Sequence, residues 1–252
     1  MFAHERYEKI INLLNEKSSV TVSELIKLFG VSIETVRRDL EYLERQNALK
    51  RVHGGAVSCK KFQSFNSLDN RMTEHREEKL HLSKTACAFI KENDIIAIDS
   101  GSTAIELASV IKQSFRHLTI VTNSPTVMNL LSENDGLTII LIGGLYLKKE
   151  QAFYGHIAED AINSLHFQKA FIFPSAISLQ QGAGVFVHEL VNVQRAFMQN
   201  AEKVFILAVS SKFETSALIK LCDLYPYHLI TDNKLPNEIY ELYKKNRINI
   251  IR

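Results

Sequence analysis

From about Glu74 to the end of the chain, short apolar segments alternate with longer segments of helical periodicity. This alternation predicts a mostly parallel sheet covered by helices, because parallel strands need a crossover connection and a helix usually supplies it. Seven of the apolar segments fit strands, and they lie at residues 95–99, 118–123, 137–143, 169–177, 203–209, 228–232 and 248–251. The sequence therefore predicts one large α/β domain.

The first quarter of the chain has a different pattern, with apolar residues spaced for short helices. Residues 5–15 carry an apolar stripe typical of one helix face. A second helix is predicted to start at Thr21, since Thr21 and Glu24 fit a capping box, and to end at Gly30. Two short helices on either side of a tight turn at Gly30 indicate a helix-turn-helix.

The third helix begins after Ser32, in the stretch SIETVRRDL. Its apolar spacing predicts four inward residues, Ile33, Val36, Leu40 and Leu43. In a helix-turn-helix this helix enters the major groove of DNA, where arginine can bind guanine or phosphate. The residues predicted to reach DNA are Ser32, Thr35, Arg37 and Arg38. The alternative is a solvated helix face on which the arginines pair with Asp39 and Glu41.

A short basic hairpin is predicted directly after the third helix. In the stretch ALKRVHGGAV, a short run with apolar Leu49 and Val52 and polar residues at 50, 51 and 53 precedes the turn at Gly54 and Gly55. Such a hairpin is the wing of a winged helix, and we expect Lys50, Arg51 and His53 to contact DNA. The charge distribution gives mild support, because the formal net charge of the chain is only +2 and residues 1–60 hold 10 Lys and Arg against 8 Asp and Glu.

These segments divide the 252-residue chain into a DNA-binding domain at 1–57, a connector at 58–73 and the α/β domain at 74–252. No stretch is apolar over the length of a membrane span, so no membrane partner is expected. Cys59, Cys87 and Cys222 are far apart and odd in number, which favours a reducing cytoplasm over a disulfide framework. We expect no metal site and no cofactor.

In the α/β domain, the loops that follow the strands are the expected ligand site, because ligands bind beyond the carboxyl ends of parallel strands. The first is DSGST, where Asp99 is followed by the start of a helix at residues 100–103. Backbone N–H groups at a helix start, beside small hydroxyl residues, suit a phosphate group. An ordinary capped turn fits that stretch equally well. Small or glycine-rich turns also follow the next two strands, at Asn123 and at Gly143 and Gly144.

The motifs SIETVRRDL and KRVHGGAV resemble the DNA-binding domain of the DeoR family of bacterial transcriptional regulators. Further motifs match the sugar-phosphate sensor domain of that family in order, namely DSGST, VTNS, IGG, YGHIAEDAI, SSKF and LITDN. The resemblance implies a sensor with the fold of ribose-5-phosphate isomerase and glucosamine-phosphate deaminase. It also implies an effector site made of Asp99, Ser100, Gly101, Ser102, Thr103, Asn123, Gly143, Gly144, Ser175 and Lys212.

Three positions depart from the family pattern. Ser175 and Val209 stand where the family usually has Asp, and Gln194 stands where it usually has Lys. An acid and a base lost together are compatible with a charge pair removed as a unit. We interpret the departures as an effector pocket that has a new ligand or has lost the usual sugar-phosphate response.

The favoured function is a homo-oligomeric DNA-binding regulator, a repressor of sugar or polyol metabolism genes controlled by a phosphorylated sugar. One alternative is a DNA-binding protein whose α/β domain serves oligomerisation or another ligand. A phosphosugar isomerase or deaminase is the third reading, but such chemistry needs a positioned acid and base, and the three departures remove ionisable groups.

Overall fold

The structure is a computed structural model that describes residues 3–17, 19–45, 48–52, 54–58 and 68–252. The chain forms two compact units, Met1–Phe65 and Asn66–Arg252. None of the helices in the described ranges is long and apolar enough to cross a membrane.

The described part of the N-terminal unit contains three helices and a three-stranded antiparallel sheet. In chain order the elements are α1 (Ala3–Lys17), β1 (Ser19–Thr21), α2 (Val22–Phe29), α3 (Ile33–Arg45), β2 (Leu49–Val52) and β3 (Gly55–Ser58). The predicted helices and the wing hairpin β2–β3 are present. The sheet order is β1-β3-β2, so β1 adds a strand to the wing that the sequence did not predict.

Local capping explains where α2 and α3 begin and end. The Thr21 hydroxyl accepts from the Glu24 N–H, and the Glu24 carboxylate accepts from the Thr21 N–H, which completes the predicted capping box. Gly30 ends α2 with a φ of 64°, a left-handed conformation that glycine adopts without strain. The Ser32 hydroxyl then accepts from the Thr35 N–H and caps α3.

The inward face of α3 differs from the prediction at one residue. Val36, Leu40 and Leu43 are buried in the core of the N-terminal unit, but Ile33 is 38% exposed. Ile33 lies in the first turn of α3, and Val31 from the preceding turn packs against the core. The prediction for Ile33 was therefore wrong.

A buried ion pair joins α1 to α3. The Arg6 guanidinium donates to both carboxylate oxygens of Asp39, with Nε to Oδ2 at 2.6 Å and Nη2 to Oδ1 at 3.0 Å. Both side chains are at most 10% exposed. Asp39 thus faces the interior, so it is not part of a solvated salt-bridged face with Arg37 and Arg38.

The wing is attached to the rest of the N-terminal unit at Gly55. Thr21 of β1 pairs with Gly55 of β3. A Cβ atom at residue 55 would lie 2.1 Å from the backbone oxygen of Val20, so only glycine allows the two strands to approach this closely.

The C-terminal unit is built around a seven-stranded parallel sheet. Its elements are α4 (Leu68–Thr73), α5 (Arg76–Cys87), β4 (Ile95–Ile98), α6 (Ser102–Ser114), β5 (Leu118–Thr122), α7 (Pro125–Leu131), β6 (Leu137–Leu141), β7 (Leu145–Leu147), β8 (Ala152–Tyr154), α8 (His156–Asn163), β9 (Phe167–Ile172), β10 (Ala176–Ser178), β11 (Gly182–Val185), α9 (Val191–Gln199), β12 (Ala201–Leu207), β13 (Ile219–Cys222), β14 (His228–Ile230), α10 (Asn237–Lys245) and β15 (Asn249–Ile251). The sheet order is β15-β14-β12-β9-β4-β5-β6, and all seven predicted strands take part. The predicted α/β fold class is confirmed.

Both faces of this sheet are buried. Along β12, Val204 and Ile206 belong to one apolar cluster and Phe205 and Leu207 to the other, as expected when alternate side chains point to opposite faces. After β4 the chain adds β5 and then β6 on one side of β4. It then adds β9, β12, β14 and β15 in turn on the other side. The gap between β4 and β9 is therefore the point where the strand order reverses, which is where open α/β sheets bind ligands.

Two predictions of local structure were incomplete. The predicted strand 169–177 ends at Ile172, and residues 176–178 form β10 in a small antiparallel sheet with β11 and β13. Pro174 separates the two strands, because it has no N–H group for a sheet ladder. The predicted connector 58–73 contains helix α4, which begins with the buried residue Leu68. Residues 59–67 of that connector lie outside the described residues.

Candidate functional site

The outer face of α3 carries two exposed arginines. Arg37 and Arg38 are exposed, and no carboxylate of the described residues lies within ion-pair distance of either guanidinium. Ser32 and Thr35 lie at the start of the same helix, where their hydroxyl groups are 3.0 Å apart. This face combines free cationic groups with short hydroxyl side chains, a combination that suits DNA phosphates and base edges.

The wing adds further positive charge. Lys50 and Arg51 are exposed on β2. The backbone N–H of Arg51 donates to the carboxylate of Glu44 on α3 at 2.7 Å, which connects the wing to the C-terminal half of that helix. The Arg51 guanidinium is left facing solvent. His53, the third residue predicted to contact DNA from the wing, lies outside the described residues.

In the C-terminal unit, the predicted effector residues gather at the carboxyl ends of neighbouring strands. Asp99 follows β4 and is completely buried. Its carboxylate accepts from Nε2 of Gln194 on α9 at 2.6 Å, and from the N–H groups of Ser100 and Phe173. Burial is the main influence and raises the pKa of Asp99 to about 6, although these hydrogen bonds lower it.

The loop between Asp99 and α6 has the geometry of a helix start beside open space. Gly101 precedes α6 with a φ of 124°, and a Cβ atom there would meet nothing within 4 Å. Ser100, Ser102 and Thr103 are buried around it. The first N–H groups of α6 have no partner within the helix, so this loop offers donors to an anion.

The loops after β5 and β6 behave differently from each other. Asn123 is fully buried, and its Nδ2 donates to the Phe153 carbonyl at 2.9 Å, while its Oδ1 has no hydrogen-bond partner. Gly143 borders open space. A Cβ atom at Gly144 would lie 2.6 Å from the Tyr154 backbone oxygen, so Gly144 permits close packing of β8.

Lys212 and Ser175 lie near the end of β9. Lys212 Nζ donates to the Pro174 carbonyl at 2.6 Å, next to Phe173, whose N–H binds Asp99. The Ser175 N–H donates to the Gly184 carbonyl at 2.8 Å, and the Ser175 side chain is half-buried. Val209, the third departure from the family pattern, is buried in an apolar cluster.

Two cations that the sequence analysis did not assign to the site lie close to Lys212. They are Arg71 of α4 and Lys79 of α5, and their charges lower the pKa of Lys212. Arg71 pairs with the buried carboxylate of Glu150. Lys79 is buried and donates to the carbonyls of Arg71 and Glu74. Lys79 could have been recognised, because it precedes Leu82 by three residues and so stands on the apolar stripe of its helix.

Burial and neighbouring positive charges weaken the charged form of both lysines. Burial, followed by the charges of Arg71 and Lys79, lowers the pKa of Lys212 to about 7. Burial, followed by the charge of Arg71, lowers the pKa of Lys79 to about 8. Within the described part of the chain, neither ammonium group has a carboxylate within ion-pair distance. Glu106, Glu74 and Glu78 favour the charged form of Lys79 from a longer distance, but they do not outweigh its burial.

Two family models match the chain. The model of the DeoR C terminal sensor domain matches residues 74–233, and that of the DeoR-like helix-turn-helix domain matches residues 6–62. Ribose 5-phosphate isomerase A from Neisseria gonorrhoeae is a distant structural neighbour, with a TM-score of 0.42 and 17% sequence identity over 57% of this chain and 56% of that chain.

Regulators of sugar operons are similar over most of their length. The L-fucose operon activator of Haemophilus influenzae is 31% identical, over 96% of this chain and 97% of its own length. The lactose phosphotransferase system repressor of Lactococcus lactis is 32% identical, over 83% of this chain and 82% of its own length. Together with the family models, these relatives establish that the chain belongs to the DeoR family of transcriptional regulators.

Proposed function

We propose that the chain represses genes of sugar or polyol metabolism by binding operator DNA through α3 and the wing, and that a phosphorylated sugar controls this binding. The observation that carries the proposal is the pair of buried or half-buried lysines, Lys79 and Lys212, held without a carboxylate partner at the carboxyl ends of the strands. Ammonium groups without a directly paired carboxylate are unfavourable away from water. A phosphate monoester carries a charge of about −1.5 to −2 at neutral pH and neutralises both.

This charge pattern also bears on the alternatives. A C-terminal unit that only served oligomerisation would gain stability by replacing Lys79 and Lys212 with apolar residues, because their burial has a free-energy cost. The matched family models and the named relatives are those of regulators, so the chain is a regulator and not an isomerase or deaminase. One relative is named an activator, so repression, as opposed to activation, is itself part of the proposal.

Binding to two half-sites requires two copies of α3. We propose a homo-oligomer in which two recognition helices lie about one helical turn of DNA apart, as in other helix-turn-helix proteins. The ligand acts by its different affinity for the DNA-bound and free arrangements. A regulator of bacterial operons acts in the cytoplasm, and we propose that location.

The effector class is tested by thermal unfolding of the full chain with hexose, pentose, triose and polyol phosphates. The unphosphorylated sugars and inorganic phosphate serve as controls. A ligand at about 100 times its dissociation constant stabilises the unit by about 2.7 kcal/mol, a shift of a few degrees. The same ligand should change the affinity for operator DNA. If no phosphorylated sugar gives a shift, the proposed sensing function is wrong.

Replacing Arg37 or Arg38 by alanine is expected to weaken operator binding about tenfold, the usual loss for one arginine contact. A phosphate contact reduces affinity on all DNA and lowers the slope of log affinity against log salt by about one, whereas a base contact reduces discrimination between sequences. Fluorescence anisotropy with an operator selected from random DNA, and with scrambled DNA, measures both quantities.

Arg45→Ala is the matched control for these variants. Arg45 is exposed on the same helix but is paired with Glu41 at 2.7 Å. We expect its loss to leave operator affinity nearly unchanged. An equal loss in all three variants would mean that the total charge of α3, and not Arg37 and Arg38, determines binding.

A further inference from the structure

The buried acid Asp99 has only neutral partners. Its carboxylate is bound by the Gln194 amide, the Ser100 hydroxyl at 3.4 Å and two backbone N–H groups. Across the described ranges, no Lys, Arg or His lies within ion-pair distance of it. Asp99 is therefore a buried acid without a neighbouring cation in the described part of the chain.

The amide groups around Asp99 leave two acceptor oxygens without partners. Gln194 uses its Nε2 on Asp99, and Asn123 uses its Nδ2 on the Phe153 carbonyl, which fixes the orientation of both amides. Oε1 of Gln194 and Oδ1 of Asn123 are buried and have no hydrogen-bond partner. Buried polar atoms are nearly always paired in folded proteins, so unpaired ones at a ligand site indicate what the ligand supplies.

Asp99 and Asn123 lie at the carboxyl ends of two adjacent strands. Ile98 of β4 pairs with Thr122 of β5, so Asp99 and Asn123 are the next residues on adjacent strands. Gly101 and Gly143 border open space in the loops that follow. This end of the site offers two unpaired acceptor oxygens and one buried negative charge, and it is therefore complementary to a cationic hydrogen-bond donor.

A positively charged group, Lys212, lies close to Asp99 near the end of β9. Asp99 binds the N–H of Phe173, and Lys212 binds the carbonyl of the next residue, Pro174. The site thus has an anionic part at Asp99 and a cationic part at Lys79 and Lys212. A sugar phosphate without an amino group neutralises only the cationic part. Its hydroxyl groups can donate hydrogen bonds to unpaired acceptors, but they do not neutralise the buried carboxylate.

We propose, on the basis of the proposed function, that the effector is a phosphorylated amino sugar whose ammonium group binds the unpaired oxygens of Gln194 and Asn123 beside Asp99. Its phosphate group binds Lys79 and Lys212. Gln194 is then a specificity residue, because a lysine at this position would repel the ammonium group and neutralise Asp99 in its place.

Calorimetric titration of the full chain with matched ligands tests this assignment. The probes are glucosamine 6-phosphate, glucose 6-phosphate and N-acetylglucosamine 6-phosphate, with the corresponding galacto compounds, at a pH below the pKa of the amine. We expect the amino-sugar phosphate of one epimer to bind at least about tenfold more tightly than the two phosphates that have no free amine. A charged hydrogen bond adds roughly this much to the affinity. The N-acetyl compound separates the effect of charge from that of size.

Two variants and one control complete the test. In the Gln194→Lys and Asp99→Asn variants, the amino-sugar phosphate should bind no more tightly than the phosphates that have no free amine. Gln199→Lys, an exposed position on the same helix, should leave the ratio unchanged. Circular dichroism checks that each variant is folded. If Gln194→Lys does not fold, the preference of Asp99→Asn for the amine tests the proposal by itself.

The outcomes distinguish this inference from the function on which it rests. If the unchanged chain binds the phosphates that have no free amine as tightly as the amino-sugar phosphate, or more tightly, the amino-sugar assignment is wrong and phosphosugar sensing stays in place. A preference for the amine that survives both variants overturns the role of Asp99 and Gln194. If none of the phosphates binds, both proposals are wrong.

Discussion

Replacing Asp39 by alanine is expected to destabilise the N-terminal unit by about 3–5 kcal/mol and to abolish operator binding with it. The substitution leaves the Arg6 guanidinium buried between α1 and α3 without its bidentate partner. A unit of this size has a total stability of only several kcal/mol, so most molecules would lose the helix-turn-helix. Hydrogen exchange of the full chain measures the effect, because it reports the two units separately.

Glu41→Ala is the matched control for Asp39→Ala. Glu41 also belongs to α3 and also pairs with an arginine, but the Glu41–Arg45 pair is exposed. Exposed pairs contribute at most about 1 kcal/mol. Ligand binding by the C-terminal unit should be unaffected in both variants. If Asp39→Ala and Glu41→Ala have similar small effects, the buried pair does not hold the N-terminal unit together.

Replacing Lys212 by methionine is expected to weaken phosphosugar binding about 10- to 100-fold, the range for losing one charged hydrogen bond. The variant should also be more stable than the unchanged chain when no ligand is present. The pKa of folded Lys212 is lowered from its ordinary value of 10.5 to about 7. Stability therefore falls as the pH decreases from 10.5 through 7, because in this range the unfolded chain binds a proton that the folded amine does not, and methionine avoids this loss.

The same lysine predicts how ligand affinity depends on pH. The protonated amine binds phosphate, so affinity should fall about tenfold for each pH unit above 7, and more steeply above 8, where Lys79 also loses its proton. Lys212→Met should remove the first of these two steps. Calorimetric titrations between pH 6 and 9 measure both the slope and its change.

Lys220→Met provides the comparison for Lys212→Met. Lys220 is an exposed lysine of the same unit that pairs with Asp223. Its loss should change neither ligand affinity nor the pH slope. A flat pH profile for the unchanged chain would contradict the assignment of Lys212 to the phosphate site.

Residues whose role depends on local pattern were predicted well. The spacing of apolar residues identified every strand of the parallel sheet, and the pair Thr21 and Glu24 marked the start of α2 correctly. These features depend on residues a few positions apart, and a single sequence contains that information. Ile33 shows the limit, because its burial depends on how far the neighbouring elements extend.

Residues whose role depends on distant partners could not be predicted. Asp39 resembled a solvated acid in the sequence, and only the approach of Arg6 from another helix explains its burial. Arg71 and Lys79 stand in or beside the predicted connector and come close to Lys212 only because α4 packs on α6, and α5 packs on α6 and β14. The contact between Gln194 and Asp99 likewise joins residues 95 positions apart.

The close approach at Gly55 limits where operator preference can change during evolution. Any side chain at this position would collide with the backbone of Val20 and displace the wing. Lys50 and Arg51 point into solvent on the neighbouring strand, and Arg37 and Arg38 do so on α3, so they are free to vary without disturbing the core. With the DNA contacts proposed above, new DNA sequences are recognised by exchanging a few surface residues on a scaffold whose stability stays constant.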